Sequence, residues 1–143
     1  MKIIAALDFS ETSERILEAV QAYATQLDHA EVYLVHVEPE EPAFIGYEPG
    51  PQTVRDQVAH NFRNEHVRLQ DSARELEKSG LKVTPLLLQG PIGDTILTEV
   101  KRLEADLIIV GSHGHSFLHN VLVGSTSKEI LKKSRIPVLV IPS

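Results

Sequence analysis

Apolar and polar positions follow two rhythms along this chain, short continuous apolar runs and stretches of helical spacing, and the two alternate from one end to the other. KIIAAL (Lys2 to Leu7) is long enough for a strand and too short for a helix. DFSETSE comes next, offering Ser10 and Thr12 as N-cap candidates, with Glu11 and Glu14 near the positive end of a helix dipole. Ile16, Leu17, Val20, Ala24 and Leu27 then recur on one helical face. EVYLVHV (Glu31 to Val37) is β-branched and aromatic and predicts a second strand. The interval between the two strands fits one right-handed βαβ crossover.

EPEEPAFIGYEPGP (Glu38 to Pro51) holds four prolines and four glutamates and predicts a loop. A long helical pattern follows through Val54, Val58, Phe62, Leu69, Ala73 and Leu76, closed by Gly80. LKVTPLLL (Leu81 to Leu88) predicts a third strand, and Pro85, which lacks an N–H, puts that strand at a sheet edge. QGPIGDT reads as a turn, and Ile96, Leu97, Val100 and Leu103 as the apolar face of a third helix. DLIIV (Asp106 to Val110) predicts a fourth strand, Ser125 to Ser134 a fourth helix and PVLVI (Pro137 to Ile141) a fifth strand. Five strands alternating with four helices define an α/β fold, one domain over residues 1–143, with a mainly parallel sheet covered by helices on both faces.

Composition narrows the class. The chain has no cysteine, which excludes disulfides and thiolate metal sites. Its formal charge of −6 argues against nucleic-acid and anionic-membrane partners, which need a basic face. No apolar run reaches the length of a membrane span, and Asp8 interrupts the N-terminal run before a signal-peptide core is complete. A cytoplasmic location is the expectation.

In open parallel sheets, ligands bind beyond the carboxyl ends of the strands, where the strand order reverses. Asp8, Val37 and Gly111 stand at three such ends. After Gly111 the sequence runs GSHGHSFLHNVLVGSTSKEI, polar and glycine-bearing, into the fourth helix. Gly111 and Gly114 lack a Cβ, so their N–H groups can approach an anion. Gly124, Ser125 and Thr126 open a helix whose unpaired N–H groups and dipole favour phosphate. Glycines at strand-to-helix turns are also often purely structural, and neither G-x-x-x-x-G-K-[ST] nor G-x-G-x-x-G is present.

The spacing is instead G-x2-G-x9-G-[ST], formed by Gly111, Gly114, Gly124 and Ser125. Together with the DFS after the first strand, the HVE closing the second, DLIIVGSHG and the terminal SRIPVLVIPS, it makes the whole chain resemble the universal stress proteins. The resemblance implies a Rossmann-like sheet, of the adenine nucleotide alpha hydrolase type, with strand order 3-2-1-4-5. It also implies ATP binding, with ADP and AMP as the alternatives. Asp8 would then serve the ribose or adenine side and the Val37 backbone the adenine edge. Gly111 would lie by the ribose and α-phosphate. Gly114, Gly124, Ser125 and Thr126 would cradle the phosphates, and His113 lies between the first two glycines of that cradle. From the residues alone, Asp8 reads equally as a helix-entry residue, and Val37 carries no signature of its own. Many members have Lys or Arg after the second glycine. Here that position is His115, which removes a fixed positive charge, and Mg²⁺ bridging the phosphates would restore part of it.

His113, His115 and His119 form H-x-H-x3-H, but a glycine-flexible loop offers little of the fixity that a metal site needs, so they read as polar loop residues beside phosphate. His36 reads as a hydrogen-bonded core histidine; His60 and His66 read as facing solvent or a subunit interface. No G-x-S-x-G elbow, H-E-x-x-H pair or arginine finger in the phosphate loop is present, so any ATP hydrolysis is expected to be slow and no catalytic residue is assigned. The closing strand would leave an unpaired edge, and two copies pairing antiparallel through Pro137 to Ile141 would satisfy both, as the homodimers of the family imply. The expectation is a nucleotide-responsive homodimer in stress adaptation. The alternative is a protein–protein interaction module with weak or no nucleotide binding and a partner that the sequence does not name.

Overall fold

The computed structural model describes residues 1–39, 52–112 and 123–143, with backbone only for 52–58. The elements run β1 (Lys2–Ala6), α1 (Glu11–Ala24), β2 (Glu31–Glu38), α2 (Gln52–Glu77), β3 (Lys82–Gln89), α3 (Ile92–Leu103), β4 (Leu107–Gly111), α4 (Ser125–Lys133) and β5 (Val138–Ile141). The five strands form one sheet of order β3-β2-β1-β4-β5. Every pairing is parallel, with Ile4 opposite Tyr33 and Ile108, and Ile109 opposite Leu139. The order reverses between β1 and β4, as the family resemblance implied.

Side chains that alternate along a strand face opposite sides of a sheet, and here both sides are apolar. Ile3, Ala5 and Leu7 join Ile109 and Leu34 under α1 and α2, where Ile16, Val20, Leu69 and Ala73 meet them. Ile4, Ile108 and Val110 face the other way, with Val35 and Val37, against Ile96 of α3 and Ile130 of α4. Each isoleucine buried in full contributes on the order of 1.5–3 kcal/mol over exposure. The double burial explains why β1 and β4 read as unbroken apolar runs.

Pro85 lies on β3 opposite Leu34, and β3 is an edge of the sheet. Gly80 takes φ +83° at the end of α2, a conformation that glycine reaches without a Cβ penalty. Several details depart from expectation. QGPIGDT is not all turn, because α3 already begins at Ile92 within it. Leu27 falls beyond α1, which ends at Ala24, and it is exposed. Phe62 is exposed on α2, because the buried stripe of that helix runs through Leu69, Ala73 and Leu76. Strands β3 and β4 each begin and end one residue later than predicted. Most of the proline-rich loop, and the side chains of Val54 and Val58, lie outside the described residues. No described helix is long and apolar enough to cross a membrane.

Candidate functional site

A crevice of about 640 Å³ opens at the carboxyl ends of β1, β2 and β4 and is closed on one side by the first turn of α4. Asp8, Val37, Gly111, Ser125 and Thr126 all line it. Gly124 is the N-cap residue of α4, one position before that lining. His113 and Gly114 lie outside the described residues, as do His115 and His119.

Each lining residue is set by a local interaction. The Asp8 carboxylate oxygen Oδ1 accepts hydrogen bonds from the Ser10 N–H at 3.0 Å, from the Ser10 hydroxyl and from the Ser13 hydroxyl at 3.2 Å. Ser10 is the N-cap residue of α1 but does not cap it with its own side chain. Its hydroxyl instead turns back to Asp8, so Asp8 also organises the entry to the helix. Val37 is buried in β2 opposite Leu88 and borders the crevice from that strand. The Gly111 carbonyl accepts a 2.6 Å bond from the Ser127 hydroxyl, which fixes the start of α4 against the end of β4. The Gly124 N–H donates to the Ser112 carbonyl at 2.6 Å, so that donor is engaged within the protein.

Apart from His36, the rest of the lining comes from residues that the sequence does not single out. Phe9 stands in the left-handed region at φ 59°, unusual for a non-glycine residue and costly by roughly 1–2 kcal/mol. Its ring lies 4.5 Å from the His36 ring, and the Arg68 guanidinium sits 4.3 Å from its centre. His36 Nδ1 lies 2.7 Å from the Leu7 carbonyl and Nε2 lies 2.9 Å from Glu38 Oε1, the hydrogen-bonded interior histidine expected from its place in a strand. His60 and His66 are exposed on α2. Glu65 and Arg68 also line the crevice, one helical turn apart on α2. A sequence signal for them exists only as a polar pair on a helix with an apolar stripe. For Phe9 no signal exists, because its φ is imposed by the turn from β1 into α1.

Resolved charge shifts lie away from the crevice. Lys133 bonds to Glu129 and Asp94 and is held above the usual lysine range by them, Glu129 contributing most. Asp94 is lowered by its hydrogen bond to Lys133. Among the cations of α4, Lys133 is therefore committed to α3 and to its own helix.

A parallel sheet of order β3-β2-β1-β4-β5 with a ligand-sized crevice at its reversal point, bounded by the amino end of a helix, defines an α/β protein of the Rossmann-like class. The universal stress protein family model matches residues 1–142, and the chain belongs to that family. Universal stress protein MJ0577 of Methanocaldococcus jannaschii is 31% identical over 98% of this chain and 93% of its own length. The solved structure of MJ0577 superposes with a TM-score of 0.84 at 33% identity, covering 99% of this chain and 95% of that one. Two more distant members share the fold. One is a universal stress protein from Archaeoglobus fulgidus in complex with dAMP, at 22% identity and a TM-score of 0.65 over 99% of this chain and 97% of that one. The other is a universal stress protein in complex with cAMP, at 19% identity and a TM-score of 0.65 over 99% and 96%.

Proposed function

We propose that this protein binds an adenine nucleotide, ATP ahead of ADP and AMP, in the crevice at the ends of β1, β2 and β4. One observation carries the reading: Asp8, Val37 and Gly111 from three strands line a single crevice with Ser125 and Thr126 of α4. Its volume, about 640 Å³, suits a nucleotide-sized ligand. The Ser125 and Thr126 hydroxyls stand where the amino end of a helix favours phosphate. With the Gly124 N–H engaged by Ser112, the phosphate contacts fall to Ser125, Thr126 and the loop bearing His113 and Gly114. That members of this fold are solved with dAMP and cAMP supports the adenine class. Mg²⁺ would enter with the phosphates and supply charge that His115 does not. Asp8 would serve the ribose or adenine side, so that occupancy rather than turnover would be the signal, in a homodimer pairing through Pro137 to Ile141.

Titration with ATP, ADP and AMP, with and without Mg²⁺, tests the reading by calorimetry and melting. Ligand that binds only the folded state raises the melting midpoint with its concentration. Replacing Gly114 by Val is expected to remove that response while the fold survives; an unchanged response would exclude the phosphate assignment. A monomeric mass in sedimentation would exclude the dimer.

The commitment of Lys133 to Asp94 and Glu129 favours one second reading, an interaction module with weak nucleotide affinity. In that case none of the three nucleotides moves the midpoint at millimolar concentration.

A further inference from the structure

His36, Glu38 and Glu65 bring three ligand atoms within 4.8 Å of one another on the β2–α2 wall of the crevice. The hydrogen-bond chemistry of this group is incomplete. A backbone carbonyl only accepts, so the 2.7 Å contact between Leu7 and His36 Nδ1 needs the proton on Nδ1. The Nε2 lone pair then faces Glu38 Oε1 at 2.9 Å, and two acceptors meet unless something positive lies between them. A second ring proton would satisfy that pair but would leave the third atom as it is. Among the described residues Glu65 Oε2 is buried without a hydrogen-bond partner, its only charge contact being the Arg68 guanidinium at 3.7 Å. A buried carboxylate oxygen in that state costs more than a surface one.

We propose that His36 Nε2, Glu38 and Glu65 bind a first-row transition dication of the zinc type. One positive centre would satisfy all three acceptors at once. A mixed nitrogen and oxygen set suits such an ion, whereas magnesium and calcium prefer oxygen alone. The histidine is already prepared as a metal ligand: its other nitrogen is held by a main-chain carbonyl, the arrangement that fixes tautomer and ring direction in metal sites. Phe9 packs against the ring and limits its rotation. Glu38 is held through its backbone, whose carbonyl accepts from the Gly90 N–H at 3.0 Å. Tetrahedral ligands on zinc stand roughly 3.3 Å apart at bond lengths of about 2.0–2.1 Å, so only a small movement of Glu65 on α2 closes the set. The fourth position faces the crevice and takes water. The site goes beyond nucleotide binding and does not depend on it.

Zn²⁺ alone, titrated calorimetrically into chelator-treated, nucleotide-free full-length protein, tests the proposal. Saturation at one ion per chain is expected, with a melting midpoint that rises with Zn²⁺. Glu65→Gln and Glu38→Gln, both at partly exposed positions, are each expected to weaken binding roughly tenfold or more. Without metal, Glu65→Gln should melt no lower than the parent despite losing the 3.7 Å ion pair with Arg68, because it removes the charge from a buried oxygen that lacks a hydrogen bond. The variant with His113, His115 and His119 all changed to Ala is expected to keep the site. Loss of Zn²⁺ binding in that triple variant, or undiminished binding in both glutamine variants, would overturn the proposal, as would no binding by the parent.

Discussion

The Ser127 hydroxyl donates a 2.6 Å hydrogen bond to the Gly111 carbonyl, joining the first turn of α4 to the last residue of β4 across 16 positions of sequence. Ser127 is buried, and its removal leaves the half-buried Gly111 carbonyl short of that donor. Ser127→Ala is expected to cost about 1–2 kcal/mol in urea denaturation, with an unchanged m-value. The same change frees the start of α4 to shift, so ATP affinity in calorimetry should fall by more than a surface Ser→Ala control produces.

Phe9 gives a prediction opposite to the usual ranking of alanine and glycine. Its φ of 59° strains any side chain with a Cβ, while its ring gains contact with His36 and Arg68. Phe9→Ala loses the ring contacts and keeps the strain; Phe9→Gly loses the contacts and relieves it. The glycine variant is therefore expected to be more stable than the alanine variant by roughly 1 kcal/mol, measured by denaturant midpoint at equal m.

These two sites mark what the sequence could disclose. The sheet order came from the family resemblance, and one residue-level signal agreed with it: Pro85 demanded an edge for β3. The crevice was legible from its strand ends, since Asp8, Val37 and Gly111 are the residues at which apolar runs stop. Its far wall was not. Glu65 and Arg68 enter it only because α2 packs through Leu69, Ala73 and Leu76, which turns their side of the helix toward β2. The division of labour in DFS was missed for a related reason. Ser10 bonding to Asp8 rather than capping α1 is a choice between two local hydrogen bonds, and composition favours neither.

The link between α3 and α4 should appear as a pH dependence with two signs. Asp94 is lowered by the Lys133 hydrogen bond, so its contribution is present above the unfolded carboxyl value and is lost as pH falls through the folded one. Lys133 is raised by Glu129 and then Asp94, so its contribution is present below the unfolded lysine value and is lost as pH rises through the folded one. Lys133→Met is expected to reduce the loss of stability on acidification below the ordinary carboxylate range, and to do so less at high salt. Denaturation midpoints of parent and variant across that range, at low and high salt, make the comparison; identical pH profiles would remove the network from the stability of the fold.

The two edges of the sheet pose different problems of association. On the β3 side β2 is the one neighbour among the described residues, and Pro85 sits in register with Leu34, so its missing N–H breaks the row of donors that a bare outer edge would offer. On the β5 side, Val138–Ile141 runs without a proline inside the strand. If proline is what blunts the first edge, Pro85→Val gives β3 a continuous donor row and a residue of high strand propensity. The variant is expected to fold with a melting midpoint equal to or above the parent's and yet to form species larger than the parent's in light scattering, increasingly so with concentration. Scattering that matches the parent at every concentration would mean that something other than Pro85 protects this edge.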